Sequence, residues 1–350
     1  MTEEHSSSPV VTDIPRYMPP PAPSYVAEPM PASARKPTTN LALFAITLLT
    51  TTMAGAYMAG VDHPLLNPSG LAHGLTFSVP LMAILLFHEL GHYLTARRNN
   101  VNVTLPFFIP APFPSVFIIG TFGAFIRMRT PPRSRRIMFD VGAAGPWAGM
   151  LLAVPAVIIG LQRSEILPLD HTAGGLELGN SLLFLGLSRW ILGVNPNSVT
   201  INLHPIAFAG WIGLFVTTLN LLPVGQLDGG HVIYALFGRF HRGISRLFVV
   251  CCVLMVVVPW LIGWSYWTGW LLWAVLLVFL GLGHPAALDT DTPLDSRRRV
   301  AAWLTIALFA ITFSPVPISL TPASEGPSNG QVYDVIHHPA APHHPRWVSL

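Results

Sequence analysis

Charge is what this 350-residue chain has least of. Only 10% of its residues are Asp, Glu, Lys or Arg, against about 25% in an ordinary soluble domain. That leaves too little polar surface to cover a water-soluble globule. With 51% apolar residues and a mean hydropathy of +0.54, the chain is equally far from intrinsic disorder and points to a multi-spanning membrane protein. Lysine is nearly missing: Lys36 is the only one, so arginine carries the net charge of +3. Such charge orients a chain in a bilayer and gives no reason to expect a nucleic-acid partner. Cysteine is equally scarce. Cys251 and Cys252 are adjacent inside an apolar run, which excludes a disulfide framework or a thiolate metal cluster and leaves two small core residues.

The ends differ from the middle. Residues 1–39 are rich in proline with acidic and hydroxyl side chains and show no apolar period, the pattern of a disordered, partly extended cytoplasmic tail. They lack the basic start and apolar stretch of a secretory signal. Residues 323–350 form a second polar, proline-rich tail with His337, His338, His343 and His344, best taken as a mobile tail and not a metal site. Between them lies the expected membrane domain, residues 40–322.

Seven apolar runs there approach the 17–25 residues that a span needs: 41–60, 75–96, 137–161, 206–222, 246–263, 266–283 and 301–318. The stretch 105–126 holds four prolines before a segment of β-branched and aromatic residues, Val116 to Ile126, and is expected to form a small membrane-associated hairpin. Its edge could receive an unwound peptide by strand addition. The expected fold class is therefore all-α and polytopic, with about seven transmembrane helices and a β-hairpin between the second and third. With a cytoplasmic N-terminus, this order puts Arg16, Arg35 and Lys36, then Arg97, Arg98, Arg127, Arg129, Arg133, Arg135 and Arg136, then Arg239, Arg242 and Arg246, then Arg297 to Arg299 inside. Only Arg163, Arg189 and Arg346 of the 19 basic residues fall outside. The asymmetry fits the positive-inside rule with an external C-terminus.

The second run ends in Phe87-His88-Glu89-Leu90-Gly91-His92-Tyr93. Histidines four apart on a helix share one face and can reach one metal ion, with the glutamate placed to take a proton from metal-bound water. With 14 histidines in the chain, chance would produce about 0.01 such motifs. Polar groups of this kind inside a spanning helix are costly in lipid and therefore mark function. A catalytic zinc needs a third protein ligand, and Asp140, Asp228, His204 and His231 are the candidates. Asp228 is the strongest. It follows Asn220-Leu221-Leu222-Pro223-Val224-Gly225-Gln226-Leu227, where a helix stops and another restarts, and irregular backbone at membrane depth belongs in a protein interior or polar cavity. Gly142, Gly145 and Gly149 lie on or near one helix face, which suits close helix packing.

Three blocks together resemble the site-2 proteases, zinc metalloproteases that cut transmembrane segments of other proteins. The blocks are His88 to His92, the stretch Gly120 to Gly149 with Phe139-Asp140-Val141-Gly142, and Asn220 to His231. Similarity is greatest to the branch found in cyanobacteria and plastids, through Gly179 to Leu183 and His204 to His231. The resemblance covers roughly residues 75–285. It implies one Zn2+ per chain on His88, His92 and Asp228, Glu89 as general base and acid, and Asn220 as a contact for substrate backbone or a developing oxyanion. It implies transmembrane protein substrates, with membrane-tethered regulators among them. The expected topology puts His88, His92 and Asp228, and so the active site, toward the cytoplasmic side of the membrane, expected to be a bacterial cytoplasmic membrane. The PDZ and CBS modules of many relatives are not expected here. A membrane transporter or ion pathway with a buried metal site is the rival reading, since broken helices and buried acids also serve ions. The chain shows no internal repeat to support it, and oligomeric state is left open.

Overall fold

A computed structural model describes residues 37–115, 117–130, 132–168, 175–195, 198–283 and 292–321. Both expected tails, including the C-terminal histidine pairs, lie outside the described residues apart from Pro37 to Thr39. Ten α-helices are named here: α1 (Thr38–Met58), α2 (Pro68–His73), α3 (Leu75–Arg98), α4 (Arg135–Leu161), α5 (Leu182–Leu192), α6 (Pro205–Asn220), α7 (Asp228–Phe237), α8 (His241–Ile262), α9 (Gly269–Leu280) and α10 (Ser296–Thr312). Six short strands form three antiparallel pairs: β1 (Phe107–Pro110) with β2 (Thr121–Phe125), β3 (Glu165–Leu167) with β5 (Thr200–Asn202), and β4 (Gly175–Leu178) with β6 (Ile318–Thr321).

This arrangement corrects the expected fold class. Among the described residues, four helical stretches are long and apolar enough to cross a membrane: Thr38–Met58, Leu75–Arg98, Arg135–Leu161 and Asp228–Ile262. The chain is a multi-pass membrane protein, but not with seven spans, and its three β pairs mean that it is not all-α with a single membrane hairpin. Apolarity misled where it did not coincide with an uninterrupted helix. The 206–222 run is α6, whose 16 residues reach only about 24 Å against a hydrocarbon core of about 30 Å. It is apolar all round because it is enclosed by protein. The 266–283 run holds only the 12-residue α9. In the 301–318 run, α10 ends at Thr312 and the chain continues extended into β6. The count of arginines on each side was made over seven crossings, three of which are not found as spans among the described residues.

The core packs α3, α4 and α6 against one another, with Leu81, Leu85, Met150, Ala153, Val157, Ile212 and Leu214 buried between them. Small residues let the backbones approach. A β-carbon on Gly91 of α3 would stand 2.5 Å from the Ala144 carbonyl oxygen of α4, and one on Gly210 of α6 would stand 2.7 Å from the Val157 nitrogen. The β1–β2 pair is fastened to α1. Asn40 Nδ2 donates to the Pro106 carbonyl at 2.8 Å, Thr50 Oγ1 donates to the Gly120 carbonyl at 2.7 Å, and Phe44 meets Phe108 edge-on. A bulge between Phe108 and Pro110 ends the regular pairing.

The C-terminal helix α10 braces this core. Arg298 donates through Nε and Nη2 to the two carboxylate oxygens of Asp140 on α4, both at 2.8 Å. Its Nη1 donates to Asp295 at 3.1 Å. Further along, Trp147 Nε1 donates to Thr305 Oγ1 at 3.0 Å, and Thr218 of α6 donates to the Thr312 carbonyl at 2.9 Å. Asp140, one of the ligand candidates, is thereby occupied as an anchor. A two-pronged guanidinium–carboxylate contact is geometry that lysine cannot reproduce. Arg298→Ala should cost about 1–2 kcal/mol of stability and Arg298→Lys less, read as an ordered fall in unfolding temperature of the purified protein. Equal temperatures for all three forms would mean that the pair does not brace α4.

Candidate metal centre

Helix α3 carries His88 and His92 one turn apart, at 4% and 6% exposure, and Glu89 between them at 5%. Asp228, the first residue of α7, arrives from the opposite side. Its Oδ2 lies 3.3 Å from His88 Nε2 and 3.2 Å from His92 Nε2, and the two Nε2 atoms are 3.2 Å apart. Four-coordinate zinc with bonds of about 2.0 Å separates its ligand atoms by about 3.3 Å, so the triangle has the edge lengths of one face of such a site. These three residues are the group among the described residues able to hold a metal ion. The donor set agrees with the geometry. Two imidazoles and a carboxylate converge on one point with a second carboxylate beside them, the nitrogen and oxygen ligands that zinc takes.

The surroundings fix the ligands. His92 Nδ1 lies 2.7 Å from the Val141 carbonyl of α4. A carbonyl only accepts, so Nδ1 carries the proton and Nε2 presents its lone pair to the centre. Room for the rings comes from α4. A β-carbon on Gly145 would overlap the His92 imidazole, one on Gly142 would stand 2.6 Å from the His231 β-carbon, and one on Gly149 would stand 3.3 Å from the His88 β-carbon and Nδ1. The glycine face expected to serve helix packing thus also makes room for three histidines.

Asp228 depends on the break before it. Helix α6 ends at Asn220, the backbone turns through Pro223 and Gly225, and α7 begins at Asp228. Gly225 sits at φ +56, in the left-handed region. Gly229 and Gly230 lie so close to the Leu221 and Gly225 carbonyls that neither has space for a side chain. The same break leaves Asn220 Nδ2 3.1 Å from His88 Nε2.

A cavity of about 410 Å³ opens on the centre, lined by His88, Glu89, His92, Asn220 and Asp228, with Ala124 to Met128, Val141, Gln226, Leu227 and His231 completing the wall. A second, more apolar cavity of about 230 Å³ shares His88, Glu89, Ala124 and Asn220. Of the other ligand candidates, His231 lines the first cavity but is not one of the three grouped residues. His204 lies elsewhere. It caps α6, accepting from Ile206 N–H at Nδ1, and burial together with Arg163 pushes its imidazole below the usual histidine range, which keeps Nδ1 free to accept. The Val141 carbonyl was not foreseen. It is a main-chain group, and no side-chain pattern announces it. Gln226 was likewise passed over.

Comparison with known proteins returns the same chemistry. The model of peptidase family M50 matches residues 76–262, just over half the chain. "Probable zinc metalloprotease EGY1, chloroplastic" of Oryza sativa subsp. japonica is 39% identical over 168 residues, covering 45% of this chain and 27% of the relative. The Arabidopsis thaliana EGY1 protein is 37% identical over 174 residues, 47% of this chain and 30% of the relative. "Probable zinc metalloprotease EGY2, chloroplastic" of Oryza sativa subsp. indica is 27% identical over 255 residues, 72% of this chain and 45% of the relative. The chain therefore spans less than half the length of these relatives.

The glycine contacts give a graded expectation. Gly145→Ala should displace the His92 ring and lower metal affinity by at least the 10–100-fold typical of losing a group that orients a ligand. Gly149→Ala, with 3.3 Å available, should retain most of its metal. Metal content after dialysis against a graded chelator series measures both, and equal retention would show that Gly145 does not make room for the ring.

Proposed function

Because the chain belongs to peptidase family M50, we propose that it is an intramembrane zinc metalloprotease that hydrolyses peptide bonds within or near transmembrane segments of membrane proteins. The observation that carries this reading is the triangle of buried His88 and His92 with half-buried Asp228, with edges of 3.2–3.3 Å and Glu89 beside it in one cavity. Those three residues would hold one Zn2+, which when bound supplies the Lewis acidity that brings a water's pKa toward 7 and polarises a carbonyl.

The chain's own groups then do the following. Glu89 accepts a proton from the attacking water and delivers it to the leaving amine, a role open to a carboxylate that stands next to the ligands without being one. Ile126 lines the same cavity as that carboxylate. Asn220 offers its amide N–H to the scissile carbonyl as charge develops on the oxygen. The Val141 carbonyl holds the His92 ring in one tautomer throughout.

A substrate helix conceals its peptide bonds in its own hydrogen bonds and must be extended before attack. The β2 residues Thr121, Gly123 and Ala124 border the apolar cavity, and Ala124 and Phe125 the polar one. An extended peptide added along β2 would bring its carbonyl beside Glu89. Seven arginines, from Arg97 to Arg136, occupy the end of α3, the connection to α4 and its first residues. We place that end, and with it the opening of the site, on the cytoplasmic side of a bacterial membrane.

The test separates chemistry from assembly. Glu89→Gln keeps the size and hydrogen bonding of the side chain but cannot accept the proton, so zinc and substrate binding should persist while turnover falls by about 10²–10⁴-fold. Asp228→Ala should lose zinc and activity together. Zinc content and cleavage of a membrane protein that co-purifies with the Glu89→Gln variant are measured side by side. Loss of zinc from Glu89→Gln, or near-normal cleavage by it, would overturn the assigned role, and an Asp228→Ala form with full zinc would move the third ligand elsewhere.

A further inference from the structure

Away from the metal centre, a cavity of about 590 Å³ lies where the start of α4 meets the junction of α7 and α8, lined by Arg135, Tyr234, Arg239, Phe240, His241 and Arg242 among others. Three guanidinium groups border it and no carboxylate does. Among the described residues none of the three arginines has an acidic partner within ion-pair distance. The Arg135 Nε is buried without a hydrogen-bond partner. Its guanidinium lies 5.7 Å from the centre of the Tyr234 ring and so close to Gly238 that a side chain there would overlap it. Nη2 makes one long contact of 3.5 Å to the Tyr234 carbonyl. Arg239 stacks 4.9 Å over Phe240. Three positive charges around one cavity repel one another, and the buried Arg135 Nε has a donor to spare, so an anion entering the cavity would relieve both.

The planar fork of arginine matches phosphate oxygens in pairs, and basic pockets between membrane helices on the cytoplasmic side suit anionic headgroups. The cavity lies at the ends of α4 and α8, both parts of spanning stretches. From it, α8 runs on with an apolar and exposed surface, Leu247 64% exposed, Val250 51% and Leu254 47%, continuous with Phe240 just before the helix at 59%. A small soluble anion would need only the charged end of this surface. A lipid would use both.

We propose that this cavity binds the phosphate of an anionic phospholipid, with the acyl chains along α8. The site joins Arg135, six residues before Val141, to the helix pair that begins with Asp228. An occupied site therefore ties together the two elements that orient the proposed metal ligands, yet its existence does not depend on the proteolytic reading.

The test uses the full-length protein purified in a neutral detergent, and thermal unfolding with added phosphatidylglycerol, phosphatidylcholine or inorganic phosphate. Phosphatidylglycerol should raise the unfolding temperature by about 2–5 °C, and the other two should not. Arg239→Gln with Arg242→Gln, both exposed positions, should remove most of the shift and retain zinc, which shows that the fold is intact. Arg163→Gln, an exposed arginine elsewhere, should keep the shift. If the double variant loses zinc, Arg242→Gln alone gives the reading. An equal shift with phosphatidylcholine, or an undiminished shift in the variants, overturns the site. An equal shift with inorganic phosphate overturns the lipid assignment in favour of a soluble phosphate.

Discussion

Everything at the metal centre depends on how closely α3 approaches α4. The contact is made backbone to backbone, with Gly91 against Ala144, and that proximity determines what can stand between the helices. Imidazoles fit because Gly145 and Gly149 present no side chain to them. The same proximity brings the Val141 carbonyl within 2.7 Å of His92. Larger residues on this face of α4 would separate the helices and lose three things together: ring space, the choice of tautomer, and reach to Asp228. Small-residue packing replaces the hydrophobic driving force that helices lack in lipid, and here it also prepares the site.

A polar centre in an apolar body creates a second constraint, since each buried polar group needs a partner. The molecule answers with specific pairs that also fasten helices. Thr51 and Ser78 join α1 to α3 at 2.6 Å, Thr218 reaches the end of α10, and Asp140 takes both prongs of Arg298. All of α10 lies beyond the stretch matched by the family, yet it holds α4 one residue from the carbonyl that orients His92. The side of the site facing the cavities is built differently, from a short bulged strand pair and a helix break. The His88, His92 and Asp228 side chains thus stand on packed helices, while the cavities open toward the strand pair and the helix break.

Reading the sequence worked where side chains carry the information and failed where geometry does. His88, Glu89 and His92 are legible because helical period alone puts the histidines on one face, and Asp228 because a carboxylate at a proline- and glycine-broken helix has few other uses in an apolar chain. The number of spans was not legible. Hydropathy reports how apolar a run is, not whether it remains one helix or whether lipid or protein surrounds it. Helix α6 is apolar because α3 and α4 enclose it, whereas α9 buries only Trp270, Ala274 and Leu277 and leaves Leu272, Val275 and Phe279 exposed over just 12 residues. The partner of Asp140 was equally hidden, being 158 positions away among three consecutive arginines that local pattern cannot rank. Main-chain groups such as the Val141 carbonyl leave no trace in composition.

The break between α6 and α7 shows why Asp228, the third member of the group able to hold a metal, stands where it does. A continuous helix from Pro205 through Phe237 would keep every backbone bond but would carry residue 228 twelve Å or so beyond residue 220 along one axis. Stopping α6 at Asn220 and folding the chain back through seven residues places Asn220 and Asp228 on the same pair of histidines. The cost is unpaired backbone in an apolar setting, and the turn offsets it internally. Val224 N–H donates to the Leu222 carbonyl, Leu227 N–H to that of Val224, and Ser245 of α8 donates to that of Pro223 at 3.2 Å. Asp228 also opens α7, where the free N–H groups of a helix terminus favour a carboxylate. Ligand placement, the amide beside it and the satisfaction of the turn thus follow from one interruption, which is why proline, the glycines and the aspartate must occur together in that short segment.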